Sequence, residues 1–98
     1  MLIIVNSNVY SAVLSLRFMG NEHLTIETAF GEVIRELRKQ KKLSQEDVAH
    51  ESGLDRSFIS LLETGRQQPS LITIFQLAKA LGISAGELIT AVEEKLQK

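Results

Sequence analysis

The stretch QEDVAHESGLDRSFISLLE, Gln45 to Glu63, decides the fold. It reads as two short helices joined by a tight turn. Ser44 precedes the first helix and Asp47 follows three residues on, a spacing at which the serine hydroxyl accepts from the Asp47 amide while the carboxylate reaches back to the serine amide. Gly53 ends that helix where the chain needs a left-handed backbone conformation, which glycine adopts without a Cβ penalty. Asp55 is placed to cap the second helix. Val48, Leu54, Ile59 and Leu62 turn inward, and Ala49 is small enough for the two helices to cross closely.

Around this stretch, 98 residues with 44% hydrophobic and 23% charged content predict one small folded domain with one core. The chain has no cysteine, so it has no disulfide framework and no thiolate zinc or iron–sulfur site, which fits a reducing cytoplasm. His23 and His50 read as surface residues and cannot close a metal site alone. The formal net charge of -1 argues against binding a polyanion through bulk charge. Local charge tells differently: Arg38, Lys39, Lys41, Lys42, Arg56 and Arg66 all flank the deciding stretch.

Upstream, residues 1–18, MLIIVNSNVYSAVLSLRF, carry no charge before Arg17 and read as strand. From Val9 the pattern alternates, with Tyr10, Ala12, Leu14, Leu16 and Phe18 on one face. Asn6, Ser7 and Asn8 form a candidate turn after Leu2 to Val5, giving a hairpin. A lone hairpin is marginal in water, and its open apolar edge predicts pairing with a second copy across a two-fold axis. A secretory signal needs an early positive charge and a small-residue cleavage site, which the segment lacks, and it is shorter than the ~20 apolar residues of a membrane span. A start at Met19 is the other reading of these residues. With residues 19–26 as linker, the expected organisation is an N-terminal strand extension over 1–26, a possible dimerisation element, and a helical domain over 27–98.

The helical period begins near Glu27, where Phe30, Val33, Ile34 and Leu37 share one face, and the helix ends near Lys41. Its basic last turn suits the negative end of the helix dipole. After the deciding stretch, Gly65 stops the chain, the RQQPS loop follows, and Ser70 caps a fourth helix. Leu71, Ile74, Leu77, Ala78 and Leu81 form the buried stripe expected there, while Ile72 and Phe75 leave that helix unusually apolar all round. Ser84 with Glu87 makes a second capping box, opening a fifth helix whose apolar face is Leu88, Ile89, Val92 and Leu96.

Three segments in this order, LSQEDVA at 43–49, SGLDRSFISLLETGRQQPS at 52–70 and LAKALGIS at 77–84, resemble the lambda-repressor-like, Cro and phage repressor type, helix-turn-helix DNA-binding family. The resemblance implies a mainly α, five-helix domain with the second and third helices as the reading unit. It implies that Gln45 contacts a phosphate and buttresses the reading helix, and that Arg56, Ser57 and Ser60 face the major groove. Arg66, Gln67 and Gln68 match the loop along the DNA backbone. Arg38 and Glu63 match a pair joining the first helix to the end of the third, which makes Arg38 structural. Ser52 departs from the family's usual apolar residue, and its hydroxyl is able to bond back to a carbonyl.

Chemically, Arg56 is the sharpest candidate, because a guanidinium fork takes guanine O6 and N7 together. Its bland alternative is a solvated first-turn charge. Ser57 and Ser60 are short donors that help only if the helix lies deep in the groove. Phe58 suits a thymine methyl or the edge of the core equally. Glu46 and Asp47 complement the dipole of their helix, and no nucleophile elbow, metal cluster or glycine-rich phosphate loop occurs. The expectation is a non-enzymatic, cofactor-free transcriptional regulator, a repressor-type homodimer on palindromic double-stranded DNA, cytoplasmic and without a membrane partner. The alternative is an interaction module or antitoxin-type regulator that uses the same fold to bind a protein partner.

Overall fold

The computed structural model describes residues 24–97. The strand extension expected over residues 1–18, most of the linker and His23 lie outside the described residues. Within them the chain is all helix and turn: α1 (Ile26–Gln40), α2 (Gln45–Ser52), α3 (Arg56–Glu63), α4 (Leu71–Ala80) and α5 (Ala85–Gln97). α1 begins one residue earlier than its apolar period suggests, because the Thr25 hydroxyl caps it by accepting from the Thr28 amide at 3.1 Å.

Four of the five starts carry a side-chain cap. Ser44 and Asp47 close a reciprocal box, with Asp47 N–H to Ser44 Oγ at 3.0 Å and Ser44 N–H to Asp47 Oδ2 at 2.8 Å. Ser84 and Glu87 repeat it at the start of α5, and Ser70 accepts from the Thr73 amide at the start of α4. The backbone donors of Ser44 and Ser84 hold the Asp47 and Glu87 carboxyls below the usual carboxylate range. Asp55 corrects the sequence reading: it occupies the cap position of α3, but its side chain makes no capping hydrogen bond. Only its carbonyl acts, accepting from the Ile59 amide as the first helical bond.

The core is one cluster. α1 packs on α5 and α3, α2 packs on α3 and α4, and α4 packs on α5. Ile59, Leu62, Leu77, Leu81 and Leu88 are its largest fully buried side chains. Gly31 sets the closest crossing, since a Cβ there would collide with the carbonyl oxygens of Leu62 and Glu63 at the end of α3. Gly53, at φ 76°, makes the left-handed turn between α2 and α3. At the far end, Lys95 on α5 pairs with Glu36 and Glu32 on α1, and the Glu36 carboxylate holds the ammonium above its ordinary value.

One stripe differs from expectation. Leu71, expected among the buried positions of α4, is exposed, because the core side of that helix is carried by Thr73, Leu77 and Ala78. Ile72 and Phe75 are 72% and 59% exposed, and Ile26 and Ile89 also reach the surface. Beside them a shallow groove of about 190 Å³ runs between Ile26, Phe30, Pro69, Ile74, Ile89 and Val92.

Candidate nucleic-acid interface

One carboxylate ties α3 to both helices it packs on. Glu63, at the last turn of α3, accepts from Arg38 Nε at 2.7 Å and Arg38 Nη2 at 3.0 Å, while Gln45 Nε2 donates to it at 3.1 Å. The third guanidinium nitrogen, Arg38 Nη1, donates to the Leu43 carbonyl at 2.9 Å. A single side chain of α3 is therefore tied to α1 and to the first residue of α2. The pair is largely out of water, with side-chain exposures of 12% for Arg38 and 5% for Glu63. The hydrogen bond to Glu63 raises the Arg38 pKa above its ordinary value, so this cation is committed to the fold.

Around this anchor the predicted residues divide. Gln45 has its side-chain amide on Glu63, which fixes the amide's position at the positive end of α2. Arg56 is the first residue of α3 and more than half exposed, with Nε 3.0 Å from Glu46 Oε2. Ser57 is exposed and Ser60 half-buried on the same short helix. Phe58 is half-buried against the core, which leaves less of its ring for an outside contact. Arg66, Gln67 and Gln68 are exposed in the loop between α3 and α4, and the Arg66 amide anchors that loop by donating to the Leu61 carbonyl at 2.9 Å. Ser52 is buried and bonds back to the Ala49 carbonyl at 3.4 Å, as its place at a helix end suggests.

Two contributors escape a linear reading. Gly31 lets α1 approach α3 backbone to backbone, and nothing in the local pattern marks it. Glu46, readable as a dipole-complementing carboxylate, is also the ion-pair partner of Arg56 across the turn. Among the described residues no group of three or more His, Asp or Glu side chains is arranged to hold a metal. No single described helix is long and apolar enough to cross a membrane.

A helix-turn-helix family model matches residues 34–88, from the middle of α1 to the first turn of α5. The chain belongs to the Cro/C1-type helix-turn-helix family. Within that family it is 47% identical over 58 residues to the HTH-type transcriptional regulator y4dJ of Sinorhizobium fredii, covering 59% of this chain and 75% of the relative. The crystal structure of the restriction-modification controller protein C.AhdI from Aeromonas hydrophila superposes with a TM-score of 0.61 at 49% identity, over 62% of this chain and 92% of that one. The controller protein C.Esp1396I, solved as a tetramer on its natural 35 base-pair operator, gives a TM-score of 0.71 at 25% identity, over 76% of this chain and 99% of that one. The family match runs through α2 and α3, the two helices that Glu63 locks together.

Proposed function

We propose that this Cro/C1-type chain is a sequence-specific DNA-binding transcriptional regulator that acts as a dimer and has no catalytic role. The observation that carries the reading is the Glu63 anchor, which fixes α3 against α1 and α2 while its first turn, with Arg56 and Ser57, stays open to solvent. A helix held rigidly by its far end presents its N-terminal side chains to base edges, and this is how a recognition helix reads the major groove. In this reading Arg56 reads a guanine, and Ser57 and Ser60 supply secondary contacts. Gln45, at the start of α2, and Arg66 and Gln67, in the following loop, meet phosphates and set the register.

Two copies place two such helices about 34 Å apart in successive major grooves, which requires palindromic half-sites. The second copy is proposed to meet the exposed apolar side chains Leu71, Ile72, Phe75 and Ile89, with the strand extension over residues 1–18 as the other candidate contact. The C.Esp1396I tetramer on its operator supports action as an oligomer on DNA. The same apolar face is the one observation that favours the second reading, a module or antitoxin-type regulator that binds a protein partner.

Selection from randomised duplexes, followed by sequencing, tests the proposal. The expected product is a two-fold symmetric site with a guanine in each half-site that Arg56→Ala no longer prefers. Affinity should fall with salt at a log–log slope of about −0.9 per phosphate contact. No enrichment, or enrichment that Arg56→Ala leaves unaltered, removes α3 as the reading helix.

A further inference from the structure

Arg56 does not stand alone on α3. Its Nε lies 3.0 Å from Glu46 Oε2, and both side chains are more than half exposed. Glu46 sits in the first turn of α2, whose start is fixed twice, by the Ser44–Asp47 box and by the bond from Gln45 to Glu63. From this ion pair we infer that Glu46 is a positioning residue for Arg56: its carboxylate, nearest to Nε, biases the guanidinium toward one placement in which the terminal Nη1 and Nη2 can meet a base edge. The inference rests on the reading of α3 as the recognition helix.

A guanine presents O6 and N7 side by side, and an arginine meets them with two parallel N–H donors. The terminal nitrogens supply such a pair without Nε. Arginine otherwise spreads over many rotamers, and a partner that selects one before DNA arrives lowers the ordering cost of the contact. An isolated exposed ion pair does little for fold stability, so any effect of Glu46 on base preference can be read without a change in the melt. A carboxylate at the protein–DNA boundary also repels phosphate, which weakens binding to every sequence alike. Glu46 therefore works in one direction on sequence preference and in the other on general affinity.

The test is a double-mutant cycle with Glu46→Ala and Arg56→Ala on selected duplexes and on duplexes changed only at the guanine, with a thermal melt to check folding. Glu46→Ala should lower the preference for guanine by about tenfold, within what one bidentate arginine–guanine contact supplies. It should leave binding to unrelated duplex equal or tighter, and in the Arg56→Ala background it should change base preference no further. Glu46→Gln, which keeps an acceptor oxygen at the same reach, should recover part of the preference. An equal gain in affinity for all duplexes, with the guanine preference intact, overturns the positioning role alone and leaves Glu46 as a repelling surface charge. A parent protein with no base preference at all overturns the recognition-helix reading, and this inference with it.

Discussion

The α2–α3 unit and the α4–α5 face are parts of one domain held by different forces. In the first, Glu63 and Arg38 pair largely out of water and the half-buried Gln45 joins them, and among the described residues no buried side-chain nitrogen or oxygen lacks a partner. In the second, Leu71, Ile72 and Phe75 are mostly exposed and Ile89 partly so. Hydrogen bonds have direction and hydrophobic contact does not. In the proposed function, the surface that presents Arg56 is the one tied by a carboxylate, and the surface proposed to meet a second copy is the apolar one.

The largest test of this contrast is Glu63→Ala. It strips the buried Arg38 guanidinium of its counter-charge and releases Gln45 together with it. Removing one partner of a fully buried ion pair costs about 3 to 5 kcal/mol. Because Arg38 is only part-buried and keeps its bond to the Leu43 carbonyl, the loss should fall between that and the roughly 1 kcal/mol of a surface pair. Urea unfolding should show that loss in the midpoint without a change in slope. A loss below about 1 kcal/mol, the level of a surface pair, would make the network ornamental to the fold.

Phe75→Glu probes the other region with the opposite expectation. Phe75 is exposed, so a charge there leaves the stability of the single domain within about 0.5 kcal/mol of the parent. It places a carboxylate at the assigned contact, and an aromatic anchor of an interface is worth about 2 kcal/mol or more. Sedimentation should show a dimer dissociation constant weaker by roughly thirtyfold or more. If unfolding is affected and association is not, the face belongs to the core and the contrast between the two regions collapses.

What the sequence disclosed follows the range of each interaction. The boxes at Ser44 and Ser84 and the cap at Ser70 join residues three apart, so a linear reading contains the whole device. The Arg38–Glu63 pair spans two helices and was accessible only through resemblance to a family, since no local pattern joins positions so far apart. Glu46 and Arg56 meet only because the turn at Gly53 folds α3 back across the start of α2. Apolar periodicity located the inward face of α1 and the Leu88–Val92 line of α5, but it also counted Ile89, which is exposed. It did not tell the covered side of α4 from the open one, because Leu71, Ile72 and Phe75 put apolar side chains on its outer side as well. Gly31 carries no pattern at all, since its part is the absence of a side chain beneath α3.

The smallest expected difference lies within the reading unit itself, between its two helix starts. Ser44 and Asp55 are both good cap residues by type, yet only Ser44 uses its side chain, accepting from the Asp47 amide at 3.0 Å. Ser44→Ala should cost about 1 kcal/mol in urea unfolding, the usual loss for a bonded cap. Asp55→Ala removes no bond and should stay within about 0.5 kcal/mol of the parent. α3 would then be held in place chiefly from its C-terminal end, by Glu63 and by the packing of Ile59 and Leu62, while its first turn with Arg56 is left unsecured by its own cap. Equal losses at the two positions would mean that Asp55 caps in solution, and that the recognition helix is fastened at both ends.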